Sequence, residues 1–103
     1  MLVQLGYAPN EALIKQLDAI ERNTVDYEKI QKHIMDLHGH LKVNNSYVAL
    51  SNSNEYFKIK IDAPTPELAE EAHEKVAHFS KKFKVNVEKL ENKETYYIIG
   101  FHH

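Results

Sequence analysis

Apolar residues recur at alternating steps of three and four over Tyr27, Ile30, Ile34, Leu37 and Leu41, and at steps of two over Phe57, Ile59 and Ile61. The first spacing lines one face of a helix, the second one face of a strand. Before them, Leu13, Leu17 and Ile20 share a face of a shorter helix over 10–22, with Pro9 or Asn10 placed to start it and Asn23 to stop it. Residues 1–8, MLVQLGYA, keep no period, and Gly6 argues against a helix through them. The second helix begins at Thr24 or Asp26. After VNNS, residues 47–51 (YVALS) and 55–61 (EYFKIKI) read as a hairpin around SNSNE, with Tyr56, Lys58 and Lys60 on the side opposite Phe57, Ile59 and Ile61.

A third helix follows over 65–83. Thr65 suits the N-cap, Pro66 the first helical position, Glu67, Glu70 and Glu71 the positive end and Lys81 and Lys82 the negative end. Its apolar stripe is Leu68, Ala69, Ala72, Val76, Phe79 and Phe83. KVNVEKL and TYYIIGF then form a second hairpin around ENKE.

From residue 26 onward the order is helix, strand, strand, helix, strand, strand, two units alike in pattern rather than in residue identity. Two amphipathic helices and four short strands predict a two-layer α+β sandwich with both helices on one face of the sheet. The αββαββ order over 26–103 is similar to the ferredoxin-like fold with its first strand moved to the chain end. That resemblance rests on element order alone, implies a sheet order of 3-4-2-1 along this chain, and carries no function with it.

The last strand, TYYIIGF, is apolar on both parities. If Tyr97, Ile99 and Phe101 join Phe57, Ile59 and Ile61 beneath the helices, Tyr96 and Ile98 stand on the open face beside Tyr56, Lys58 and Lys60. Burying such side chains is worth roughly 1.5–3 kcal/mol each, so a cover over that face is expected. The helix at 10–22 has no place in the αββαββ sandwich and is expected to close the open face or to exchange with a second copy, twofold dimers being the commonest assembly. The expected interface is Leu13, Leu17, Ile20, Tyr27 and Ile34.

A chain of 103 residues is the size of one domain, an arm and helix over 1–23 followed by the sandwich over 26–103. With 43% hydrophobic and 27% charged residues it has the composition of a folded domain. No apolar run is long enough to span a bilayer, and MLVQLGYAPNE lacks a signal-type core, so a cytoplasmic location is expected. The absence of cysteine excludes disulfides, thiolate metal sites and a cysteine nucleophile. A net charge of −2 gives no overall attraction to polyanions, so nucleic-acid binding requires a local patch.

Three surfaces carry candidate chemistry. The first joins His38 and His40 with His102 and His103, two pairs that would hold zinc or nickel if the chain end met the end of the second helix; capping and dipole preference explain the first pair equally well. The second is a sheet face of Tyr47, Tyr56, Lys58, Lys60, Lys84 and Tyr96, with rings to stack bases and lysines to hold phosphates of a single strand. Its plain counterpart is that Tyr and Lys are ordinary on a solvated strand. The third is Tyr96 and Ile98 as anchors for a protein. No nucleophile elbow or other catalytic signature occurs, and the acidic runs fit solvated helix faces, so a non-enzyme is expected. His33, His73 and His78 read as surface residues. The expected function is a protein-binding or self-associating module using the open sheet face and the N-terminal arm, with single-stranded nucleic acid and metal sensing as alternatives.

Overall fold

The computed structural model describes residues 2–51, 54–91 and 93–102. It contains helices α1 (Glu11–Asn23), α2 (Tyr27–Leu41) and α3 (Pro66–Phe83), and strands β1 (Tyr47–Leu50), β2 (Phe57–Lys60), β3 (Val85–Lys89) and β4 (Thr95–Phe101). The strands form one antiparallel sheet in the order β1-β2-β4-β3. This is the 3-4-2-1 order expected, and it places β4 in the interior of the sheet. The architecture is a two-layer α+β sandwich. Among the described residues no helix is long and apolar enough to cross a membrane.

The helix ends follow from local chemistry. Asn10 caps α1 by accepting from the Leu13 N–H at 2.8 Å, and Thr65 caps α3 by accepting from the Leu68 N–H at 3.2 Å. Lys84 ends α3 in the left-handed conformation (φ 55°), with its N–H donating to the Ser80 carbonyl. All five stripe residues of α2 are buried, and Tyr27 stacks on Phe57 at 5.6 Å. From α3, Ala72, Val76 and Phe79 are buried against the sheet, the small Ala72 allowing close approach.

The face taken by β4 differs from expectation. Ile98 pairs with Phe57, and Tyr96 with Ile59, so both point beneath the helices; Ile98 is fully buried. Tyr97 is the residue that faces outward beside Lys58. Residues opposite one another in an antiparallel pair share a face, so pairing register decides the side, and a strand apolar on both parities leaves it open. A shift between Asn86 and Val87 then makes Ile99 the extra residue, and Phe101, paired with Val85, returns to the helix side beneath the Lys29 ammonium.

The N-terminal region also takes a different place. Ile20, Tyr27 and Ile34 are buried in the chain's own core, and Leu13 and Leu17 pack against it, so these five do not form a free interface stripe. Instead of closing the open face, α1 lies beside β1 and the β1–β2 connection. Gln16 donates to the Ser51 carbonyl and Asn23 to the Glu55 carbonyl. Between α1 and α2, Val25 bridges to Gly100, its carbonyl accepting from the Phe101 N–H at 2.8 Å. The extra helix therefore completes the edge and end of the sheet, where unpaired backbone groups needed partners.

Candidate functional site

The face of the sheet turned away from the helices carries Tyr47 and Ala49 from β1, Lys58 and Lys60 from β2, Tyr97 and Thr95 from β4, and Glu88 from β3. Tyr56, one residue before β2, belongs to the same side: its ring lies 5.3 Å from that of Tyr97, tilted by 34°. Asn54 fixes the far end of Tyr97 by donating to its hydroxyl at 3.0 Å. Tyr47 is exposed, Lys60 is exposed, and Lys58, Tyr56 and Tyr97 are half-buried. Alternation within β2 builds this arrangement, since Phe57 and Ile59 anchor the inner side and leave the intervening lysines outward.

A hollow of about 500 Å³ on this face is lined by Lys58, Lys60, Lys93, Glu94, Leu90 and Tyr97 among others. The three lysines make no ion pair among the described residues. Glu94 is held from the other side, where its carboxylate pairs with His73 Nε2. The patch therefore combines free cations with a pair of rings, bounded on the β3 side by Glu88.

Tyr96, on the inner side, belongs to a different constellation. Its hydroxyl and His73 Nδ1 share a 2.6 Å hydrogen bond, and His73 continues to Glu94, so α3 is tied to the start of β4 by a Glu–His–Tyr chain. Burial first and the Glu94 charge second push the Tyr96 phenol above its ordinary pKa. A phenol held protonated is the reverse of an activated nucleophile, so the chain serves to satisfy a half-buried hydroxyl. Sequence reading placed His73 on the surface; its partner Tyr96 lies 23 residues away on another element, and no local spacing could announce the pair.

Among the described residues the histidines are held apart. His38 is buried, and its Nδ1 accepts from the Val48 N–H at 3.0 Å. Burial first and Lys42 second lower its pKa, while a hydrogen bond with the Gln4 backbone acts the other way. His40 is exposed on α2, and its carbonyl accepts from Lys75. His102 lies at the opposite edge of the sheet, its N–H donating to the Lys84 carbonyl just before β3. His103 lies outside the described residues. Among the described residues no three His, Asp or Glu side chains are placed to hold a metal ion. His38, beside β1, and His102, beside β3, therefore lie at opposite edges of the sheet and do not meet.

A second hollow, about 530 Å³, runs between the outer faces of α2 and α3. His33 stacks on Phe83 there at 3.7 Å, with His40 and His78 on the walls. Acidic and basic side chains alternate along it, and it presents no field of one sign.

Of the residues predicted for binding, the structure brings Tyr47, Tyr56, Lys58 and Lys60 to one face, buries Ile98 in the core and turns Tyr96, half-buried, to the helix side. Tyr97 and Lys93 join that face in their stead. Comparison with protein-family models, with curated proteins and with solved structures finds no match.

Proposed function

We propose that the protein is a small, non-catalytic cytoplasmic binding module whose working surface is the open sheet face, and that a single-stranded nucleic acid occupies that face. The observation that carries this reading is the Tyr56–Tyr97 ring pair flanked by Lys58, Lys60 and Lys93, three ammonium groups without a carboxylate partner among the described residues. Rings on central strands offer π-faces to bases, and adjacent lysines suit a phosphate chain. The local cation excess supplies what the net charge of −2 does not.

A protein partner or a second copy is the second reading, favoured by Tyr47, an exposed ring at the margin of the same face. It loses ground to the first because Ile20, Tyr27, Ile34 and Ile98, which were to drive it, are committed to the core, and Tyr96 is half-buried on the helix side. A face-to-face twofold would also desolvate Lys58 against like charge.

The deciding experiment is fluorescence anisotropy with labelled single-stranded homopolymers, RNA and DNA, at low salt. Binding that Lys58→Glu with Lys60→Glu abolishes supports the proposal. An unchanged anisotropy with the parent protein at low salt ends it, and a dimer that buries Tyr47 would move the assignment to the second reading.

A further inference from the structure

We propose that Glu88 selects the base at the open sheet face, and that the nucleotide seated on Tyr97 is a guanosine. The inference rests on the single-strand reading of that face and names what occupies it. Lys58, Tyr97 and Glu88 stand in one row across β2, β4 and β3, since Tyr97 is paired with Lys58 on one side and with Glu88 on the other. Residues paired in this way share a face. The irregularity between β3 and β4 falls at Asn86 and Val87 and leaves this row in register. Val87 packs against the core, which turns its neighbour Glu88 outward, where it is exposed. A ring therefore lies between a cation and a carboxylate carried on strands about 10 Å apart, the reach of one nucleotide from phosphate to Watson–Crick edge.

The charges give the row a direction. Lys60, further along β2, and Lys93, between β3 and β4, line the same hollow as Lys58. Phosphates follow these three lysines, and Glu88 repels them from the β3 margin. A base stacked on Tyr97 then turns its edge toward Glu88. The ring is set for this by Asn54, which donates to its hydroxyl at 3.0 Å, and by the Tyr56 ring at 5.3 Å. Glu88 makes no ion pair among the described residues, whereas Glu94, the carboxylate beside the hollow, is taken by His73.

An ionised carboxylate accepts hydrogen bonds and donates none. Guanine sets two donors side by side on its Watson–Crick edge, N1–H and the N2 amino group, and so meets both carboxylate oxygens at once. Adenine and cytosine each offer an amino group beside a ring nitrogen that accepts, and uracil flanks its N–H with two carbonyls. Against a carboxylate each of those acceptors is a repulsion. Stacking on a tyrosine tolerates every base, so the discrimination comes from Glu88.

Fluorescence anisotropy at low salt tests this with labelled oligouridine and with the same strand carrying one central guanosine or one central inosine, which keeps N1–H and lacks the N2 amino group. The guanosine strand is expected to bind at least about fivefold more tightly than oligouridine, with the inosine strand between them. Glu88→Gln replaces one oxygen by an amide nitrogen that opposes the guanine donors. It is expected to lose the guanosine preference while binding oligouridine at least as well as the parent. Equal binding of the three strands by the parent overturns the proposal, as does a guanosine preference that survives in Glu88→Gln; either result leaves the single-strand reading of the face standing. Absence of binding to every strand at low salt removes that reading and this inference with it.

Discussion

A Cβ placed on Gly100 would stand 2.7 Å from the Cβ of Val25, the residue that joins α1 to α2. Gly100 also sits at φ 146°, where side chains are rarely tolerated, and its neighbour Phe101 donates its N–H to the Val25 carbonyl. Two helices are thus threaded past the end of β4 through a gap that only glycine leaves open. Gly100→Ala is expected to cost at least about 2 kcal/mol from backbone strain and overpacking together. Urea unfolding followed by circular dichroism measures it; an alanine variant as stable as the parent would show that Val25 does not pack there.

The two sides of β4 give opposite expectations for adjacent residues. Ile98→Ala removes a fully buried side chain paired with Phe57 and should cost about 2–5 kcal/mol. Tyr97→Ala, on the open face, should change stability by no more than about 1 kcal/mol yet weaken binding to single strands by losing a ring worth about 1–3 kcal/mol. Paired urea and anisotropy titrations separate the two. A reversed pattern would return Ile98 to the outer face.

Much of the fold was legible because each element carries a local cause. The three-four spacing of α2, the Thr65–Pro66 start of α3 and the alternation of β2 each specify type and inner face without reference to anything distant. The sheet order followed from element order. The side taken by β4 did not follow, since TYYIIGF is apolar on both parities and the choice lies in register with β2 and in the irregularity opposite Asn86. The candidate site was half legible for the same reason: Lys58 and Lys60 were fixed by β2, whereas Tyr96 was exchanged for Tyr97 by a one-residue parity. His38 and His73 were hidden because their partners, the Val48 N–H and Tyr96, belong to other elements.

Two tyrosines should resist alkali. Burial, with Glu21 for Tyr27 and Glu94 for Tyr96, pushes both phenols above the ordinary value of about 10. The unfolded chain releases these protons first as pH rises. Their contribution to stability is therefore complete below about pH 10 and is lost as pH climbs toward the folded values. Ultraviolet titration of phenolate should show a late phase that Tyr96→Phe diminishes. A Tyr96→Phe protein with an unchanged late phase would mean that Tyr96 is solvated.

Salt dependence gives the sharpest test of the open face. Each phosphate neutralised on a single strand releases about 0.7 of a counterion, so binding through Lys58, Lys60 and Lys93 should give a slope of about −2 in log affinity against log salt. Replacing Lys58 with Gln should lower that slope by about 0.7 and weaken all sequences alike, because a phosphate contact reads no base. Tyr56→Ala should behave differently, reducing affinity at every salt concentration while leaving the slope intact, since stacking displaces no ions. If both substitutions alter the slope equally, the rings and the lysines do not divide the work as their placement on the open face requires, and the bound chain must follow another path across the molecule.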